Sequence, residues 1–134
     1  MNKETIQKLK TAADEMHAVY LYLFGSQARG DENNRSDTDF AVKFDQKKVQ
    51  NTFKAKLELM SRLTEILGSD AIDVVDISTA PPLLHYNIIK DGTVICSSNE
   101  KERIMDKARA MSVYFDRQYY YKRHAKRALE KLAK

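Results

Sequence analysis

One cysteine, two prolines and four glycines are all that this 134-residue chain offers of the residues that staple or punctuate a backbone. A lone cysteine, Cys96, cannot close an intramolecular disulfide, which removes the disulfide-stapled secreted scaffolds and points to a reducing compartment. The two prolines are adjacent, Pro81 and Pro82, and no repeat, linker or low-complexity tract interrupts the chain. No apolar run approaches the roughly 20 residues of a membrane span, and the first residues, MNKETIQKLK, lack a signal-peptide core. A cytoplasmic protein with no membrane role is expected. His17, His85 and His124 are scattered without metal-ligand spacing, so zinc is not expected either.

The length sets the next bound. Residues 1–134 are expected to form one domain, with one core and no room for a second, substrate-binding domain. Whatever the chain acts on must be small or arrive on another chain. The net charge of +4 is uneven: from Arg117 to Lys134 there are seven basic residues against Glu130 alone, a net +6 that leaves −2 for the rest. This basic C-terminal extension, 117–134, could meet nucleic acid or an acidic protein surface, or simply form a solvated helix face.

Helical and strand patterns alternate. Ile6, Leu9, Ala12, Ala13 and Met16 predict a helix from Asn2 to about Ala18. Val19–Phe24, continuous apolar and aromatic, predicts a strand buried on both faces and ended by Gly25. Asp37–Phe44 predicts a second strand with Asp37, Asp39, Ala41 and Lys43 on one face. Val49, Phe53, Leu57, Met60, Leu63 and Leu67 mark a helix that Gly68 can stop. Ala71–Ile77 reads as a third strand, the segment opened by Pro81 and Pro82 as a short helix to about Asp91 and Gly92, and Thr93–Cys96 as a fourth strand. Ile104, Ala108, Met111, Phe115 and Tyr119 define a long final helix. The expected fold class is α/β (α+β), a small mixed sheet of about four strands packed with helices.

The stretch FGSQARGDENNRSDTDF, from Phe24 to Phe40, carries the chemistry. A glycine and serine directly after a buried strand leave backbone N–H groups unpaired where a short helix, about Gln27 to Gly30, would begin. That is an anion site to which the Ser26 hydroxyl adds a donor. Arg29 in the same turn could hold a triphosphate or be a surface arginine. Asp31 and Glu32 read as solvated loop residues. Asp37 and Asp39 then share a strand face, and hard carboxylate oxygens so placed suit Mg²⁺ together with substrate phosphates. Two metal ions would ask for a third carboxylate. Asp73 and Asp76 are the candidates, but three positions apart they point to opposite faces of a regular strand. Asp73, nearer the strand's start, is the expected ligand, and Asp76 is expected to cap or turn the chain.

Gly25-Ser26, ten further residues, then Asp37-x-Asp39 within Ser36-Asp37-Thr38-Asp39 resembles the nucleotidyltransferase superfamily of DNA polymerase beta and the aminoglycoside nucleotidyltransferases. With the short length, AIDVVDI, the STAPPLL segment and the long final helix, it resembles the minimal nucleotidyltransferase (MNT) antitoxins that accompany HEPN-domain ribonuclease toxins. The resemblance runs to about Phe115. It implies a polymerase-beta-like nucleotidyltransferase fold and transfer of AMP from ATP, with Mg²⁺ (two ions), to a tyrosine hydroxyl of the cognate toxin in a hetero-oligomer. It also implies that Gly25 and Ser26 bind the triphosphate, and that Asp37, Asp39 and Asp73 are the metal-binding catalytic acids, with Arg29 kept as a candidate nucleotide contact on its position in the turn alone. Two other readings remain: an antitoxin that neutralises by occlusion without catalysis, and transfer to a small hydroxylated molecule.

Tyr114 and Tyr119–Tyr121 interleave with basic residues. Three consecutive tyrosines on a helix point in three directions, so a docking surface for the partner is expected ahead of a stacking platform for RNA. Cys96, in an apolar strand, is expected to be buried core.

Overall fold

The computed structural model describes residues 1–25 and 38–133. Helix α1 (Lys3–Glu15) opens with Asn2, whose side-chain oxygen accepts from the Thr5 N–H at 2.8 Å. Strands β1 (Ala18–Phe24) and β2 (Thr38–Phe44) follow, then α2 (Thr52–Leu67), β3 (Ile72–Asp76), a 3₁₀ turn (Ile77–Thr79), α3 (Pro82–Asp91), β4 (Thr93–Ser97) and α4 (Glu100–Leu132). The sheet runs β3-β2-β1-β4. β1 pairs antiparallel with β2 and β4, and β2 pairs parallel with β3, so the sheet is mixed as expected.

Local chemistry sets the boundaries. The expected continuation of α1 to Ala18 is wrong: the helix ends at Glu15 because His17 takes a left-handed φ of 60°, turning the chain into β1. α2 begins at Thr52, later than Val49 suggested, because the Asn51 side chain caps it by accepting from Lys54 N–H at 3.0 Å. Gly68, at φ 64°, closes it in the left-handed cap that glycine adopts without strain. Pro82 starts α3, and Asn99 caps α4 with Glu100 and Glu102 in the first turn, where the helix dipole favours negative charge.

The sheet divides the interior. On one face Leu21, Leu23, Phe40 and Val42 pack with Leu9 and Ala13 of α1 and with Leu59 and Leu63 of α2. On the other, Tyr20, Tyr22, Ala41, Ile77 and Ile88 form a smaller cluster beneath α3 and α4. β1 is therefore buried on both sides, as its unbroken apolar run requires. Truncating Leu59 or Leu63, both fully buried, would cost about 2–5 kcal/mol. Cys96 departs from expectation in being half-buried, packed at the margin of the first cluster, and burial pushes its thiol pKa up.

α4 is the long final helix its apolar stripe marked. The stripe Ile104, Ala108, Met111, Phe115, Tyr119 marks the helix but not its inner face: Ile104 is 55% exposed, Phe115 52% and Tyr119 69%. The residues turned inward are Arg103, Asp106, Ala110 and Tyr114. Tyr114 stacks on Tyr86 of α3 with centroids 3.8 Å apart and planes within 3°.

Candidate functional site

At one end of the sheet, three of the residues singled out by the sequence meet. Asp39 is the second residue of β2, and its register partner across the parallel pair is Asp73. Partners in adjacent strands share a face, so both carboxylates project to the α3/α4 side with backbones about 4.8 Å apart. The opposite neighbour of Asp39 is Phe24, the last residue of β1. Gly25 follows at φ 78°, and a Cβ placed on it would collide with the Asp39 carboxylate. Only glycine satisfies both the left-handed turn and that close approach. The Thr38 N–H donates to the Ala71 carbonyl at 2.7 Å, tying the starts of β2 and β3 together.

Asp73 is exposed, open to a ligand from solvent, while Asp76 does something else. The Asp76 side chain accepts from the Ser78 N–H at 3.0 Å and from the Ser78 hydroxyl at 2.6 Å, capping the 3₁₀ turn as the three-residue offset implied. Ser26, Arg29 and Asp37 lie outside the described residues. Among the described residues, no group of three His, Cys, Asp or Glu side chains gathers as a metal site. What is present is a two-carboxylate edge of hard oxygen donors, beside the point where the glycine turn leaves β1, and that donor set fits a divalent cation of the Mg²⁺ kind.

A second polar cluster, missed by the sequence reading, lies on the same sheet face. Lys43 stands four residues beyond Asp39, about 13 Å along the strand, and forms an ion pair with Asp106 of α4. The Tyr20 hydroxyl donates to the same Asp106 oxygen at 2.8 Å, and Glu102 lies 3.3 Å from the Lys43 ammonium. Burial acts to lower the Lys43 pKa, but the Asp106 carboxylate outweighs it and holds the group above its ordinary value. For Asp106, burial acts upward and is outweighed by the donors Lys43 and Tyr20, so its pKa falls below the usual carboxylate range. Burial first, and then Asp106, drives the Tyr20 phenol far above 10. Nearby, Arg103 donates to the Tyr22 hydroxyl at 3.3 Å while paired with Glu100. The signal for this cluster was Lys43 on an otherwise inward-facing position of β2, since a half-buried ammonium needs a carboxylate.

The cluster borders a cavity of about 280 Å³ whose walls include His85, Ser78, Arg109 and Val113. His85 Nε2 is buried there with no hydrogen-bond partner among the described residues, and burial pushes the imidazole pKa down. These groups clamp α4 to the sheet rather than joining the carboxylate edge.

Comparison with known proteins agrees with the geometry. Residues 4–101 match the family described as polymerase beta, nucleotidyltransferase. The protein adenylyltransferase MntA of Aphanizomenon flos-aquae is 38% identical over 81 residues, 56% of this chain and 54% of that protein, so the match spans about half the relative's length. A Methanocaldococcus jannaschii protein with a provisional protein-adenylyltransferase name is 33% identical over 90 residues, 66% of this chain and 89% of that one. Among solved structures, a toxin–antitoxin complex with AMP-PNP contains a chain similar at TM-score 0.71 and 23% identity, covering 96% of this chain and 99% of that one. A tri-AMPylated HEPN toxin of Shewanella oneidensis with its MNT antitoxin gives TM-score 0.70 and 20% identity, with the same coverage. At such identities the likeness is one of fold.

Proposed function

The chain belongs to the polymerase beta nucleotidyltransferase family, and from that premise we propose that it is an antitoxin adenylyltransferase, transferring AMP from ATP to a tyrosine hydroxyl of a cognate HEPN-family RNase toxin and so silencing it. The observation that carries this reading is the Asp39–Asp73 register pair with Gly25 against the Asp39 carboxylate. The names of the similar proteins, an adenylyltransferase and antitoxins solved with a HEPN toxin or with AMP-PNP, support the substrate and acceptor.

In this reading Asp39 and Asp73, with Asp37, hold Mg²⁺, and Gly25 and Ser26, with Arg29, receive the triphosphate. When bound, Mg²⁺ supplies charge neutralisation on the α-phosphate and on the pyrophosphate. The glycine turn brings unobstructed backbone to the phosphates, because no side chain fits there beside Asp39. The toxin's tyrosine oxygen attacks the α-phosphorus, the bond to the bridging oxygen breaks, and pyrophosphate leaves. Asp73, exposed at the edge, takes the hydroxyl proton and passes it to solvent. The acceptor comes on another chain, with residues 1–134 working in the cytoplasm as one unit and 117–134 as its extension. No described helix is long and apolar enough to cross a membrane.

The test is incubation of the chain with the cognate HEPN toxin, ATP and Mg²⁺, followed by intact-mass measurement of the toxin. Gain of one or more AMP groups, abolished when Mg²⁺ is chelated, is expected. An unmodified toxin under these conditions, or modification undiminished by Asp39→Asn with Asp73→Asn, would overturn the proposal.

A further inference from the structure

α4 carries two stripes, and the apolar one lies mostly open to solvent. Ile104, Ala108, Met111 and Phe115 are spaced four, three and four residues apart, the interval of a coiled-coil seam. They form one ridge turned from the sheet, with Ile104 and Phe115 more than half exposed, Met111 half-buried, and Phe115 meeting Tyr86 of α3 edge to face at its far end. After a polar gap at Gln118 and Lys122 the same register resumes at Leu129 and Leu132, also exposed. From Tyr119 to Ala133 every residue is exposed. A helical segment of about 15 residues with no tertiary support is marginal in water. Its length and apolar register make sense against a second helix.

We propose that this outward stripe, with the basic segment from Arg117, is one docking surface for an amphipathic helix with acidic flanks on the protein that delivers the acceptor hydroxyl. The proposal rests on the function above for that partner's identity. Charge selects among occupants. A second copy in parallel would set two +6 segments together. In antiparallel it would set each against residues 100–116, where four acidic and four basic residues balance. Neither arrangement neutralises the tail, whereas an acidic partner helix does. RNA would satisfy the charge but leave Ile104 to Phe115 uncovered. The tyrosines do not supply a stacking platform: Tyr120 and Tyr121 meet edge to face and Tyr120 leans on His124.

The experiment uses the full chain and the cognate toxin, reading affinity by isothermal titration calorimetry and AMP transfer by mass. Ile104→Glu with Ala108→Glu charges the stripe at exposed positions away from the carboxylate edge. Lys122→Glu with Lys126→Glu cuts the tail from +6 to +2 in a segment whose residues are all exposed. The stripe variant is expected to weaken the complex at least ~100-fold with an unchanged melting temperature. The tail variant is expected to bind weakly at low salt and to lose most of the wild-type salt dependence. Wild-type affinity in both variants would overturn the proposal. So would a wild-type homodimer that the stripe changes dissolve, or a tail variant that loses only binding to a poly(U) oligonucleotide. A stripe-dependent complex that never receives AMP would sink the proposed function and leave this surface standing. Undiminished transfer by the stripe variant at toxin concentrations limiting for the wild type would do the reverse.

Discussion

Asp39 and Asp73 are register partners on neighbouring parallel strands, so two carboxylates stand side by side where β2 and β3 begin. Replacing either with Asn keeps the shape and removes charge. Asp39→Asn or Asp73→Asn is expected to slow AMP transfer at least ~100-fold in single-turnover labelling of the toxin. Mg²⁺ with a non-hydrolysable ATP analogue at ~100 times its dissociation constant should stabilise the wild type by about 2.7 kcal/mol in a melting experiment. The double Asn variant should show no such gain.

Gly25→Ala combines a left-handed backbone with a collision against the Asp39 side chain. Relief requires moving either the turn or the carboxylate. A loss of about 1–2 kcal/mol is expected in urea unfolding, together with loss of AMP transfer out of proportion to the remaining folded fraction.

The clamp beneath α4 should make stability fall at both ends of the pH scale. Asp106 has a lowered pKa, so its contribution is present above the ordinary carboxylate value of 3.8 and is lost as pH falls below it. Tyr20 and Lys43 have raised values, so theirs is present below about pH 10 and is lost as pH climbs past the unfolded values of 10.0 and 10.5. Asp106→Asn is expected to cost about 2 kcal/mol at pH 7 and to flatten the acid limb while leaving an alkaline limb sustained by the burial of Tyr20, read as urea midpoints from pH 3 to 11.

His85 gives a separate limb. Its pKa is lowered by burial, so the folded chain keeps it neutral while the unfolded chain protonates near 6.5. Stability from this source is complete above pH 6.5 and declines below it. His85→Leu should abolish the decline between pH 6.5 and 5 in the same urea series while leaving the alkaline limb in place.

How legible these features were follows from what periodicity reports. The strand period of two put Asp39, Ala41 and Lys43 on one face, and the structure agrees. The three-residue offset separated Asp73 from Asp76 and sent Asp76 to a capping role. The pattern chose Asp73 to join Asp39 but could not give the register that sets them directly opposite, because register between parallel strands depends on the connection between them. On α4 the period of 3.6 found the apolar stripe but could not say which side met the sheet. The sheet decides: it offers the Lys43 ammonium and the Tyr20 and Tyr22 hydroxyls, which call for Asp106 and Arg103, so the charged stripe turned inward. Helix ends were misplaced where single residues intervened, as with His17 at φ 60° and Asn51 as cap.

Because α4 grips the sheet largely through ions and hydroxyls, whereas α1 and α2 grip it through close-packed aliphatics, the two layers answer to different agents. Electrolyte and extremes of acidity work on one seam, and loss of apolar burial works on the other. The long helix can thus be loosened while the opposite layer keeps the strands, and with them the paired carboxylates, in place.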